Sequence, residues 1–279
     1  MYDKVEKIEN SWIQHGKLND RIYLMSLARE DMHTIVPCLN ELAEKKGYSK
    51  IFVKVPIWAT FDFSRDGYIK EAFIPDFYPG GSGAYFMAKY PHPERAQQKQ
   101  DELEKICSII DLAKSKADCN KKSLPPGLKL IPVKENNIDQ LAALYSRVFK
   151  SYPFPIFDTR YLRETMESHI DYYGVFKEEM LISASSAEKD TDKQNAEMTD
   201  FATHPDFSGK SLALFLLRLM EVEMKNQKMR TLYTIARAFS HSMNITFARN
   251  GYEFGGTLVN NTNIYGGLES MNVWYKQVK

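Results

Sequence analysis

The sequence predicts an α/β (α+β) fold: a sheet flanked by helices, present in full in the C-terminal half of the chain and in part in the N-terminal half. Three observations predict it. Strand-like and helix-like runs alternate through the C-terminal half in the order β-α-α-β-β-β-α-β-α-β-β. The run Ser123-Leu124-Pro125-Pro126-Gly127 breaks the chain near its middle, because two prolines and a glycine cannot continue a helix. A helix ending in Phe63-Ser64-Arg65-Asp66-Gly67-Tyr68 is echoed by Phe247-Ala248-Arg249-Asn250-Gly251-Tyr252. Each copy is followed by a strand, a Gly-Gly turn (Gly80-Gly81, Gly266-Gly267) and another strand. The chain is therefore divided at about residue 125 into an N-terminal partial repeat, 1–125, and a C-terminal domain, 126–279.

The C-terminal elements follow from pattern and punctuation. Leu128–Lys134 reads as a strand. Ile138, Leu141, Ala142, Tyr145 and Phe149 recur on one helical stripe. Tyr152-Pro153-Phe154-Pro155 is a stiff loop, and Thr159–Ser168 a helix capped by Asp158 or Thr159. Strands are expected at Tyr172–Lys177, Leu181–Glu188 and Ala196–Thr203, then an apolar helix at Ser211–Asn226. Thr231–Ala238 is a strand, and Ser242–Asn250 a helix ended by Gly251. Glu253–Val259 and Ser270–Lys276 close the chain around a turn-rich stretch, Asn260–Gly267. In the N-terminal part, Lys50–Val55 reads as a strand. Pro93 to about Ala117 reads as a helix with Ile106, Ile109, Ile110 and Ala113 on one side.

Composition narrows the function classes. Of 279 residues 43% are hydrophobic and 26% charged, which suffices for a sizeable core. The formal net charge is +1, without the basic excess of a nucleic-acid binder. Neither an N-terminal apolar signal region nor an 18-residue apolar run occurs, so the cytoplasm is the expected compartment and no membrane partner is expected. Cys38, Cys107 and Cys119 are scattered and fit neither a disulfide framework nor a zinc motif. Cys38 and Cys107 are expected on apolar helix faces, and no metal is expected.

The chemistry is expected in Ala196–Ala213, where a strand runs through a turn of small residues into a helix. Such a turn presents backbone N–H groups and the positive end of a helix dipole to an anion such as a diphosphate. Ser208, Gly209, Ser211 and Ala213 are small enough to let a ligand approach the main chain.

On these residues the chain resembles the GNAT superfamily of N-acetyltransferases. Their phosphate-binding pattern, Arg/Gln-x-x-Gly-x-Gly/Ala, falls on Ser208-Gly209-Lys210-Ser211-Leu212-Ala213, with Ser208 and Ser211 as departures. The element order and the ending Phe247-x-x-x-Gly251-Tyr252 are similar too, so the resemblance spans about residues 127–279. Within the superfamily, Tyr152-Pro153-Phe154-Pro155-Ile156, Thr199-Asp200-Phe201-Ala202-Thr203, Ala236-Arg237-Ala238 and Ser242-Met243-Asn244 are most similar to the beta-lysine N6-acetyltransferases. The resemblance implies an acetyltransferase-type mixed, mostly antiparallel sheet, acetyl-CoA as cosubstrate and a small amine as acceptor. A polyamine, another diamino acid or a protein lysine is the alternative acceptor, and a non-catalytic acyl-CoA-binding module the alternative class. A homodimer is compatible with the sequence.

The resemblance also implies site roles. Glu197, eleven residues ahead of Ser208, stands where the superfamily carries a catalytic Glu, and Asp200 is the competing base. The two point to opposite faces of a regular strand, a parity that a bulge would undo. The main chain of Phe201, Ala202 and Thr203 is expected to pair with the pantetheine arm, with Ser240 or Asn244 bonding it further on. Phe247 occupies the position of the usual proton-donating Tyr. The leaving thiolate is then left to Tyr252, Tyr265 or water. Arg237 is a carboxylate partner for the acceptor, and Tyr152 and Phe154 wall its aliphatic chain.

Overall fold

In the computed structural model, which describes residues 3–116, 123–264 and 266–278, thirteen strands form one continuous sheet. The N-terminal region contributes β1 (Lys4–Ile8), β2 (Ser11–Gly16), β3 (Arg21–Ser26), α1 (Ile35–Lys46), β4 (Lys50–Pro56), α2 (Thr60–Arg65), β5 (Ile69–Tyr78), β6 (Ser82–Lys89) and α3 (Gln100–Ser115). The C-terminal region contributes β7 (Leu128–Pro132), α4 (Ile138–Val148), α5 (Thr159–Ser168), β8 (Ile170–Lys177), β9 (Met180–Asp190) and β10 (Asn195–Thr203). After these come α6 (Leu212–Asn226), β11 (Thr231–Arg237), α7 (His241–Arg249), β12 (Glu253–Ile264) and β13 (Gly267–Gln277). The expected C-terminal order is observed, and the sheet is mixed and mostly antiparallel.

Local chemistry explains the elements. The α4 stripe buries Ile138, Leu141, Ala142, Leu144 and Tyr145 against β8 and β9. Asp158 caps α5 by accepting the Arg160 amide at 2.8 Å. α6 buries Leu212, Leu216, Leu217, Met220 and Met224 on the other face of the sheet, with Ala196, Met198 and Leu232.

Three expectations are corrected. The helix expected from Pro93 begins only at Gln100, after a separate single turn at Pro93–Ala96. β12 runs on to Ile264 rather than stopping at Val259, because a register shift between Leu258 and Thr262, with Asn260 at φ 43°, absorbs the extra residues. Cys107 is exposed and Cys38 only half-buried, since neither falls on the buried stripe of its helix. Cys119 lies outside the described residues.

The repeat is more extensive than the sequence shows. Strand order across the sheet is β1-β2-β3-β4-β6-β5-β12-β13-β11-β10-β9-β8-β7. Read outward from the β5/β12 junction, the two sides mirror each other in chain order. β3 and β4 pair in parallel as β10 and β11 do, and in both halves the connecting segment holds a helix. Irregularities repeat as well. Register shifts at Lys70/Ala72 and Ile74/Tyr78 lie as far past Gly67 as those at Phe254/Gly256 and Leu258/Thr262 lie past Gly251. Both aromatic pairs, Phe63–Tyr68 and Phe247–Tyr252, meet edge-on with centroids 5.0 Å apart. Only β7, α4 and α5 lack N-terminal counterparts among the described elements.

The two halves meet at Ala72 and Gly256, which pair across the junction and hold equivalent places in the two copies. A core of Phe52, Phe77, Phe86, Tyr233, Leu258 and Val273 spans the join. The fully buried Lys50 binds Glu71 at 3.0 Å and the Val259 carbonyl at 2.7 Å, and Arg95 donates to the Asn260 carbonyl at 2.7 Å. A Cβ on Gly256 would lie 2.2 Å from the Glu71 carbonyl oxygen, at a φ of 142° that L residues avoid. Gly256→Val is therefore expected to cost about 2–4 kcal/mol, read from the urea midpoint. Gly67→Ala, at a φ of 86° but with open space around it, costs about 1–2 kcal/mol.

Candidate active site

Glu197 and Tyr233 mark the point where two neighbouring strands part. β10 and β11 pair in parallel only through Asn195–Thr231, Ala196–Leu232 and Glu197–Tyr233. Beyond these, β10 pairs with β9 alone and β11 with β13 alone. The cause is a bulge: the β10–β9 register shifts between Thr199 and Ala202, with Asp200 at φ 55°. An extra residue bends and twists its strand, swinging the end of β10 away from β11. The wedge so opened has backbone edges for walls, ready to accept an extended chain as an added strand.

At the head of the wedge lies the turn into α6. Ser208 is extended, Gly209 has φ 79°, and Ser211 caps the helix at φ 58° without a side-chain capping bond. Helix geometry leaves the first amides of α6 without intrahelical acceptors, and the two left-handed residues curl the main chain into a concavity that suits an anion. Nothing lies within 4 Å of where a Gly209 Cβ would stand, so the approach is unobstructed. Ser208, Gly209, Lys210, Ser211, Leu212 and Ala213 all line the cavity. The residues present fit the diphosphate and pantetheine arm of the acyl donor expected from the sequence.

Wedge and turn open into one cavity of about 1060 Å³, lined by both halves of the chain. Glu188, Glu197 and Asp200 contribute carboxyl groups to it. The bulge settles the parity: Asp200 faces the same cavity as Glu197. Burial pushes the Glu197 carboxyl up to about 7, helped by the neighbouring charge of Glu188 and opposed by Lys54 and a hydrogen bond with Tyr233. Glu188 is raised by burial as well, again opposed by Lys54. Asp200 is raised by burial in spite of hydroxyl donors that favour its charged form. Tyr152 and Ser186 donate to it, the latter at 2.5 Å. Lys54 enters from β4, its ammonium 3.1 Å from the Tyr233 hydroxyl.

Tyr152 and Phe154 line the cavity, with Tyr152 tied to Asp200. Phe201, Thr203 and Ser240 line it too, the Ser240 hydroxyl capping α7 at the Met243 amide. Several expectations are corrected. Asn244 is fully buried outside the cavity lining. Its amide donates to the Ser240 carbonyl at 2.7 Å, and its carbonyl accepts from Asn272 and Trp274. Ala202, expected to act through its main chain, turns its side chain into the core under α4, which leaves that expectation standing, and its carbonyl accepts the Ser183 hydroxyl at 2.9 Å. Tyr252 is buried behind Phe247, away from the cavity lining, and burial raises its hydroxyl far above the usual range. Tyr265 lies outside the described residues. Arg237 lines the cavity but is gripped by both oxygens of Glu269, at 2.7 and 2.9 Å. Phe247 is fully buried and packs edge-on against Phe201.

Sequence reasoning missed Glu188, Lys54, Tyr233, Ser186 and Arg21. Lys54 had a signal, a charge inside the otherwise apolar strand Ile51–Val55. Glu188, Ser186 and Tyr233 reach the site through the pairing of β9 and β11 with β10, a register that sequence does not give, and Arg21 only when the two halves fold together.

No family model matches the chain. Among curated relatives it is similar to the Beta-lysine N(6)-acetyltransferase of Methanococcus maripaludis, 37% identical over 275 residues and 98% of each chain. N-acetyltransferase YodP of Bacillus subtilis is 33% identical over 95% of each chain. The Beta-lysine N(6)-acetyltransferase of Methanosarcina mazei is 32% identical, over 88% of this chain and 97% of that one. An N-acetyltransferase structure from Staphylococcus aureus aligns at a TM-score of 0.48 and 15% identity, over 55% of this chain and 99% of that one.

The carboxyl cluster yields a test by charge removal. Because the Glu188 charge raises Glu197, Glu188→Gln is expected to move the Glu197 ionisation below about 7. The carboxyl-carbon chemical shift of Glu197, followed against pH, reads the direction.

Proposed function

The chain belongs to the GNAT family of N-acetyltransferases, which use acetyl-CoA, and on that premise we propose that it acetylates the N6 amine of beta-lysine. In this reading residues 126–279 are the catalytic unit and 1–125 a half-copy that completes its chamber. The observation that carries the proposal is the chamber: acidic side chains converge on the mouth of the wedge, where a cationic amine must meet a thioester.

When bound, acetyl-CoA supplies an activated thioester carbonyl. The turn from Ser208 to Ala213 holds the diphosphate through main-chain amides, and the parted edges of β10 and β11 receive the pantetheine arm. A lysine-type amine has a pKa of about 10.4, so it arrives protonated and must lose a proton before attack. Glu197 takes that proton. Its raised pKa leaves a useful share of carboxylate near neutrality while making it a competent acceptor. Asp200, held by Tyr152 and Ser186, fixes the Tyr152–Phe154 loop against the acceptor and faces the second ammonium. The new C–N bond forms as the C–S bond breaks. Phe247 has no proton to return, so the sulfur is protonated by water or by a hydroxyl at the start of α7, where Ser240, Ser242 and Thr246 line the cavity.

Two experiments test this. CoA release should be fastest with beta-lysine, slower with lysine and slowest with spermidine; acetyl-CoA binding without turnover of any amine would mark a regulatory module. Glu197→Gln should lower kcat about 10²–10⁴-fold and move the pH optimum upward while acetyl-CoA affinity is kept. An unchanged pH–rate profile removes Glu197 from the role.

A further inference from the structure

The cavity is electrically lopsided along the line between the two halves. Of its carboxyl groups, Glu188, Asp190, Glu197 and Asp200 stand on C-terminal strands and Asp192 on the turn between β9 and β10. Facing them from the N-terminal half are two cations, Arg21 on β3 and Lys54 on β4. Among the other cations of the lining, Lys189 is engaged by Asp171, Lys193 by Asp190 and Arg237 by Glu269, while Lys210 stands on the turn before α6 and Arg249 at the end of α7. Arg21 and Lys54 have no carboxylate within ion-pairing distance among the described residues.

Arg21 is the stronger case. Its side chain is held over the Tyr23 and Phe52 rings and is only 5% exposed. One guanidinium nitrogen donates to the Asn261 carbonyl at 2.6 Å and lies 3.3 Å from the Thr262 hydroxyl, while Nε is buried without any partner. Leaving a buried charged donor unmatched is costly unless something arrives to match it. A guanidinium edge with vacant donors suits a planar carboxylate. Lys54 is a second point charge on the same wall, 5.3 Å from the Tyr233 ring centroid and hydrogen-bonded to that hydroxyl.

We propose that Arg21 and Lys54 form the receptor for the carboxylate of the acceptor, so that the N-terminal half-copy selects diamino acids over diamines. The proposal rests on the acceptor class argued above and adds the residues that recognise it. Beta-lysine, 3,6-diaminohexanoate, carries ammonium groups along its length and a carboxylate at one end. Its amines meet the acidic wall of the C-terminal half, and its carboxylate meets the cationic wall of the N-terminal half. A polyamine has nothing to offer Arg21, and its ammonium groups meet like charge there. The repeat supports the assignment. Matching the strand pairs Arg21–Lys50, Ile22–Ile51 and Tyr23–Phe52 with Asn195–Thr231, Ala196–Leu232 and Glu197–Tyr233 places Tyr23 where the other copy has Glu197. The N-terminal copy thus places the Tyr23 ring where its counterpart presents a carboxyl, with Arg21 two residues before it on the same strand.

The experiment compares beta-lysine with 1,4-diaminopentane, which differs from it only by loss of the carboxylate. Kinetics with both acceptors are measured for the full chain, Arg21→Gln, Arg21→Lys and Lys54→Met, with acetyl-CoA affinity by calorimetry as the check on folding. The unmodified protein should favour beta-lysine. In Arg21→Gln the KM for beta-lysine should rise by at least about 30-fold, with a smaller change in kcat. Values for 1,4-diaminopentane should change less, so the preference collapses. Arg21→Lys should recover part of it, and Lys54→Met, which also removes the hydrogen bond to Tyr233, should lower it independently. A preference for beta-lysine that survives both Arg21→Gln and Lys54→Met overturns the receptor and leaves the proposed acceptor standing. A preference of the unmodified protein for 1,4-diaminopentane overturns both.

Discussion

Parallel pairing between β10 and β11 lasts for three residue pairs and then ends, and the rest of the site depends on that ending. The bulge at Asp200 swings β10 away, exposes backbone edges on both strands and carries the following turn to the head of the gap. The same bulge brings Asp200 onto the face occupied by Glu197, which a regular strand would forbid. One displaced residue thus accounts for the wedge, for the placement of the turn before α6 and for the clustering of carboxyl groups. Burial, with the Glu188 charge beside it, keeps Glu197 protonated to higher pH than an isolated glutamate.

Much of the C-terminal fold was legible because its signals are local. The apolar stripe of α4, the Asp158 cap and the small residues ahead of α6 each act within a few positions. Glu197 and the Ser208–Ala213 turn were legible for the same reason, since strand, turn and helix are contiguous. Asn244 was misread because sequence shows a polar residue one turn into a helix but not the Trp274 and Asn272 partners that occupy it. Arg237 was misread because Glu269 lies on the next strand across, in a register that sequence does not give.

The N-terminal half was the least legible region. Its echo was visible at Phe63 and Gly67, where helix end and glycine leave a spelling in the sequence. The equivalence of β1–β3 with β8–β10 was not, because paired strands of the two copies share a geometry without sharing residues. Lys54, Arg21 and Phe52 look like strand residues of an ordinary sheet until the copies meet edge to edge. Their meaning is relational: each faces a residue contributed from far along the chain, as Lys54 faces Tyr233.

The Ala72–Gly256 seam invites comparison with a pair of identical subunits meeting across an axis. In such a pair every side chain is duplicated, so a carboxyl on one flank obliges a carboxyl on the other. Here a single polypeptide crosses the seam, and each flank is free to differ. One flank carries the Glu197 carboxyl while the matching place on the other holds the Tyr23 ring, with Arg21 close by on the same strand. The outcome is one asymmetric chamber in place of two equivalent ones, a division of labour that covalent linkage permits and symmetry prohibits.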